Sequence, residues 1–135
     1  MTRPADALTA LHRAIEAGAH GSALAAHFTA DAVTVEHPNL IAPTGGVRDL
    51  QEMLEGSERG AALLTSQEYD IHSLHEVEDL VIARLTWTGV VAVDAGPLAA
   101  GQRLVAHIAP FVTVREGRIA RIETFDCYEP ITRGA

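Results

Sequence analysis

RLVAHIAPFVTVREGRIARIETFDCY, residues 103–128, decides how this chain folds. Arg103–Arg115 and Arg118–Tyr128 are rich in β-branched and apolar residues, and Glu116-Gly117 between them is a tight hairpin turn. The period-two pattern extends backwards. Asp94–Gly101 is a Gly- and Pro-bearing loop. Leu80–Val93 is a long strand in which Trp87 shares a face with Ala83 and Leu85. Glu78-Asp79 is a turn, and Ser66–Val77 is a strand with Tyr69, Ile71, Ser73 and His75 on one face.

Ahead of Leu64 the period changes. Leu8, Leu11, His12 and Ile15 fall at i, i+3, i+4 and i+7, one face of a helix. Gly18 and Gly21 break it, and Leu24 and Phe28 continue as a short second helix. Asp31–His37 is a short strand ended by Pro38. After the turn Pro43–Gly46, Val47, Leu50, Met53 and Leu54 form a third helical stripe with Gly56 as C-cap. Helices followed by antiparallel strands indicate an α+β domain over residues 1–135. A strongly curved sheet would wrap the helices and leave an internal pocket.

Composition narrows the partners. The 135 residues carry 10 Lys and Arg against 18 Asp and Glu, a formal charge of −8 with seven histidines neutral. Such a surface repels nucleic acid and anionic membranes. Aromatics make up 4%, too few for base-stacking platforms. One cysteine, Cys127, excludes an internal disulfide and a Cys-based zinc site. Met1–Leu8 has no apolar signal region, and no apolar run is long enough to span a bilayer. The expectation is a cytoplasmic protein.

Phe28–Pro38 with the following Gly turn and helix resembles the opening of the nuclear-transport-factor-2-like superfamily. Leu85–Gly89, Gly101–Val105, Glu116–Ile119 and the closing Phe125-Asp126 resemble its SnoaL-like branch, and the likeness covers nearly the whole chain. It implies a cone-shaped curved antiparallel sheet wrapped around N-terminal helices. It also implies a homodimer packed through the sheet and a small apolar substrate handled without metal or other cofactor. The superfamily hosts many chemistries and noncatalytic members, so fold alone does not name a reaction.

Asp126 shares a strand face with Ala120, Ile122 and Thr124, none of them charged. A carboxylate there is desolvated and its pKa raised, the condition for acid–base work near neutrality. It also matches the acid/base Asp of SnoaL-like cyclases. His107, between Val105 and Ala109, resembles the histidine that partners that Asp. His37 stands where ketosteroid isomerases carry their general base, and His12 where they carry an oxyanion-hole Tyr; an imidazole could take the proton or donate to the oxyanion. Tyr69, Trp87, Phe111 and Met53 are candidates to line the pocket, Trp87 alternatively packing in the core or on a dimer face. His72 and His75, three apart on a strand, are expected on opposite faces and make a poor metal pair. Cys127 is expected to be a small buried residue.

Two departures disfavour known routes. The isomerase's second oxyanion donor aligns with Ala109. Gln102–Val114 has no carboxylate for the Arg-x-Asp pair of the superfamily's epoxide hydrolases. Two functions remain. The first is an acid/base enzyme, an isomerase, cyclase or dehydratase acting next to a carbonyl, in polyketide or other secondary metabolism. The alternative is a noncatalytic ligand-binding or dimeric partner protein. They part on whether Asp126, His107 and His37 line one cavity.

Overall fold

The structure, a computed structural model, describes residues 2–131. Helix α1, Pro4–Glu16, starts with proline in its first turn, where a missing N–H costs nothing. It ends in a Schellman arrangement: Gly18, at φ 96°, donates to Ile15 O at 3.0 Å, and Ala19 donates to Ala14 O at 2.9 Å. Ala7, Leu8, Leu11 and His12 are its buried face. A 3-10 helix, Gly21–His27, leads directly into strand β1, Phe28–Glu36.

Strand β2, Gly46–Asp49, occupies part of the segment expected as helix. Helix α2, Leu50–Leu63, follows it. Asp49 and Glu52 form a reciprocal capping box that fixes where α2 begins. Gly56 lies inside α2 and is not its cap. No residue of α2 is fully buried.

Strands β3 (Leu64–Val77), β4 (Leu80–Val91), β5 (Arg103–Arg115) and β6 (Arg118–Tyr128) form an antiparallel run joined by hairpins at the expected turns. Glu116 and Gly117 both have positive φ, as the tight β5–β6 turn demands. Sheet order is β2-β1-β6-β5-β4-β3, and β1 runs parallel to β6, the one parallel pair in an otherwise antiparallel, curved sheet. Val81, Ala83, Leu85 and Trp87 of β4, with Ala106 and Val112 of β5, form the inner face that packs beneath α1. Among the described residues, no helix is long and apolar enough to cross a membrane.

Two register shifts alter expected faces. Pairing slips between Ile71 and Ser73, so Leu74, opposite Ala83, packs against the core where Ser73 was expected. His72 and His75 are consequently both exposed on the outer face: His72 is the bulged residue, with Nε2 2.8 Å from Thr86 Oγ1, and His75 lies opposite Ile82. A second slip leaves Ala120 outside the β5 ladder and turns Ile119 inward, with none of its surface exposed. Ile122, Thr124 and Asp126 keep their alternation.

Candidate active site

A cavity of about 490 Å³ lies between α1, α2 and the inner face of the sheet. Leu8 and Leu11 reach it from α1, Met53 and Leu54 from α2, and Ile108 and Ile122 from the sheet. Among the described lining residues the only carboxylate is Asp126. Period two from Ile122 through Thr124 delivers it to this face.

Burial raises the Asp126 pKa by penalising the charged form. The Thr124 hydroxyl, donating to its Oδ1 at 2.5 Å, pulls the other way. The negative charge of Glu36 raises it further, and the Arg48 guanidinium lowers it. Glu36 and Arg48 are themselves ion-paired, which blunts the effect of Arg48. The net shift is upward.

His12 and Tyr69 stack face to face in the wall, ring centroids 4.1 Å apart and planes within 10°. Burial, helped by the charge of Arg13, lowers the His12 pKa to about 4, so the ring is neutral at pH 7. Its Nδ1 is buried with no hydrogen-bond partner. Burial also pushes the Tyr69 phenol up, so it stays protonated and able to donate. Met53 lines the cavity beside Thr34, whose hydroxyl meets its sulfur. Asp126, His12, Tyr69 and Met53 all line this one cavity.

Four other expected site residues are not. His107 sits on the outer face, its Nε2 2.9 Å from Glu129 Oε2 and its Nδ1 3.4 Å from Thr86 Oγ1. It pairs with Cys127 across the ladder, whereas Asp126 pairs with Ile108. Adjacent ladder positions point to opposite faces. His37 is also outside: Nε2 lies 2.7 Å from Glu123 Oε2, and its ring stacks on Phe125 at 4.3 Å. Phe111 meets Phe125 edge-on at 5.7 Å on that same outer surface. Trp87 faces inward but belongs to the core. It donates from Nε1 to Gln67 Oε1 at 3.0 Å, and a side chain at Gly89 would collide with its ring at 2.6 Å. Cys127 is exposed, not buried.

Arg48 and Thr34 were missed. Arg48 lies in the stretch expected as helix, and it is the β2–β1 pairing, Arg48 opposite Thr34, that directs both to the cavity. Their period-two placement, Thr34 and Glu36 on one face of β1, was the available signal.

Solved structures share this architecture. IdmH from Streptomyces antibioticus, a candidate polyketide cyclase, is similar with a TM-score of 0.74 and 22% identity over 91% of each chain. AclR from Streptomyces galilaeus, a candidate hydroxylase, gives 0.74 and 17% identity over 91% of this chain and 77% of its own. SalBIII, an epoxide hydrolase/cyclase-like enzyme of pyran ring formation in the polyether salinomycin, gives 0.72 and 17% over 91% and 89%. No curated protein sequence matches. At these identities the likeness shows the fold alone. The description SnoaL-like domain, in contrast, matches the sequence itself over residues 8–122, and the chain belongs to that family.

Proposed function

We propose that this protein is an acid/base enzyme acting next to a carbonyl on a small, mostly apolar substrate. The observation that carries the reading is the placement of Asp126, one desolvated carboxyl in an apolar cavity. Its raised pKa matches a group that takes a proton from carbon and returns it. The protonated Tyr69 phenol and the neutral His12 ring stand in the same wall as donors for the oxygen that gains charge as an enolate forms. Isomerisation, aldol-type cyclisation and dehydration share this step. His107 and His37 take no part.

The test is exchange of protons next to the carbonyl in D2O, followed by NMR across two- to four-ring aryl alkyl ketones. Wild type exceeds Asp126→Asn on at least one member. Equal rates throughout, with ketone binding retained, overturn the enzyme in favour of a noncatalytic binding protein. That second reading is favoured by the split of the expected Asp126–His107–His37 cluster across the sheet; the enzyme reading rests instead on Asp126 with Tyr69 and His12.

The homodimer is carried, in this proposal, by the outer face, where Phe125 is 43% exposed beside Phe111. Sedimentation of wild type as a dimer and of Phe125→Asp as a monomer supports it; a monomeric wild type overturns it.

A further inference from the structure

A second cavity of about 480 Å³ adjoins the first. It lies past the end of α1, between the start of the 3-10 helix, the second half of α2 and the start of β3. Ile15, Leu24, Gly56, Ser57 and Tyr69 line both cavities, so the two meet across a common wall.

The sequence of α2 explains why this space is open. Met53 and Leu54 roof the first cavity. The same face, continued at helical spacing, becomes Gly56, Ser57, Gly60 and Ala61, which are too small to fill what lies beneath them. A methyl group added at Gly60 would meet nothing within 4 Å. Glycine weakens a helix interior relative to alanine, and α2 carries two within one stripe. A helix of 14 residues without one fully buried side chain rests here over empty volume instead of core.

The chemistry of the second cavity differs from that of the first. Gln67 spends its Oε1 on Trp87, while its amide N–H₂ makes no hydrogen bond to a described residue. Thr65 and Ser66 add hydroxyls. Glu16 contributes a carboxylate held by Arg13 and the Tyr69 N–H, and no Lys or Arg lines the space among the described residues. His20 also lines the space, its Nδ1 3.2 Å from Glu58 Oε1, so the walls offer hydrogen bonds and no described Lys or Arg to hold an anion, which suits uncharged hydroxyls.

We infer that the second cavity is the tail subsite of the same site, taking the uncharged, hydroxyl-bearing end of an elongated ligand whose apolar head lies at Asp126. The inference rests on the reading that the first cavity holds the reacting end of the substrate. Together the two volumes fall at the upper end of the usual range for small-molecule sites. Tyr69, at the common wall, marks where head gives way to tail.

Fluorescence titration tests this with three 6-acyl-2-dimethylaminonaphthalenes: a propanoyl ketone, a nine-carbon acyl ketone ending in a hydroxyl, and one of equal length ending in a carboxylate. The hydroxyl-tailed probe is expected to bind at least tenfold tighter than both others. Gly60→Leu fills the tail subsite, should remove that advantage and should leave the propanoyl probe within twofold of wild type. Circular dichroism confirms that the variant is folded, and Gly60→Ala, with a side chain that still fits, keeps most of the advantage. Equal affinities for the three probes, or an equal loss for long and short probes in Gly60→Leu, overturn the inference. The readout is binding, so failed proton exchange with an intact tail effect sinks the catalytic reading alone, and the reverse sinks the tail subsite alone.

Discussion

The two faces of the sheet use the same kinds of side chain in opposite ways. Outside, His37, His72 and His107 each lie within hydrogen-bond reach of a carboxylate or hydroxyl, at 2.7, 2.8 and 2.9 Å, and all remain partly open to water. Inside, Asp126 is half-buried, His12 is buried, and His12 keeps a nitrogen with no partner. Reactivity follows desolvation, not the number of titratable groups. The outer face has more histidines, and the inner face has the groups whose pKa values are shifted by burial.

The largest contrast is expected from Asp126→Asn. It should lower proton exchange by about 10³-fold, within the range for losing a general acid/base, while thermal unfolding shows an intact fold. His107→Asn, the matching change outside, should alter exchange less than about twofold; a loss comparable to that of Asp126→Asn would erase the distinction between the faces.

His12 gives the next effect. Replacing it with Phe keeps a ring against Tyr69 and removes the unpartnered Nδ1. Exchange should fall by about 10²-fold, the scale of one oxyanion donor. Stability at pH 7 should rise by about 1 kcal/mol, because a buried polar atom without a partner is removed. A variant that is slower and also less stable would assign His12 to packing only.

The pH dependence of stability sharpens the same point. In the folded chain His12 titrates near 4, against 6.5 when solvated. Between these values the unfolded chain binds a proton that the folded chain does not. The His12 contribution is thus complete above pH 6.5 and lost as the pH falls towards 4, by up to about 3 kcal/mol. Asp126 has the opposite sign: its folded pKa is raised, so its ionisation costs stability as the pH rises above the ordinary value of 3.8. Urea unfolding at pH 7 and pH 4.5 should show the acid loss in wild type and a much smaller one in His12→Phe. Equal losses would place the acid sensitivity elsewhere.

The smallest effect belongs to His37→Ala. It removes a half-exposed hydrogen bond and one ring stack, and should move the urea midpoint less than any change above, with exchange unchanged.

The sheet itself was legible in the sequence because the hairpin turns Glu78-Asp79 and Glu116-Gly117 pin its strands. Asp126 was legible because its neighbours on β6 hold their alternation up to it. His107 was not, for a definite reason. Strand β5 is apolar on both faces, with Ala106, Ile108 and Pro110 inside and Val105, Ala109 and Phe111 outside. Period two separates these sets without saying which faces the helices. His72 and His75 escaped because a bulge leaves no mark in composition. Strand β2 was too short to interrupt the helical stripe that begins at Val47, so Arg48 went unread. The interior of α2 misled in the opposite direction. Gly56 resembles a cap because glycine usually stops a helix, whereas here a small residue leaves room beneath one.

The parallel pairing of β1 with β6 has a consequence for how the molecule is assembled. Phe28 is registered against Ile119 and Glu36 against Thr124, so a strand made early finds its neighbour only when the last strand emerges. The antiparallel β3–β6 run closes through short local turns and is the faster part to form; joining β1 and β2 to it requires a long loop closure. The strand that completes this late step also carries Asp126. Asp126 therefore enters the sheet with β6 and the antiparallel run, and the wall of its cavity that β1 and β2 supply is added only when those strands dock.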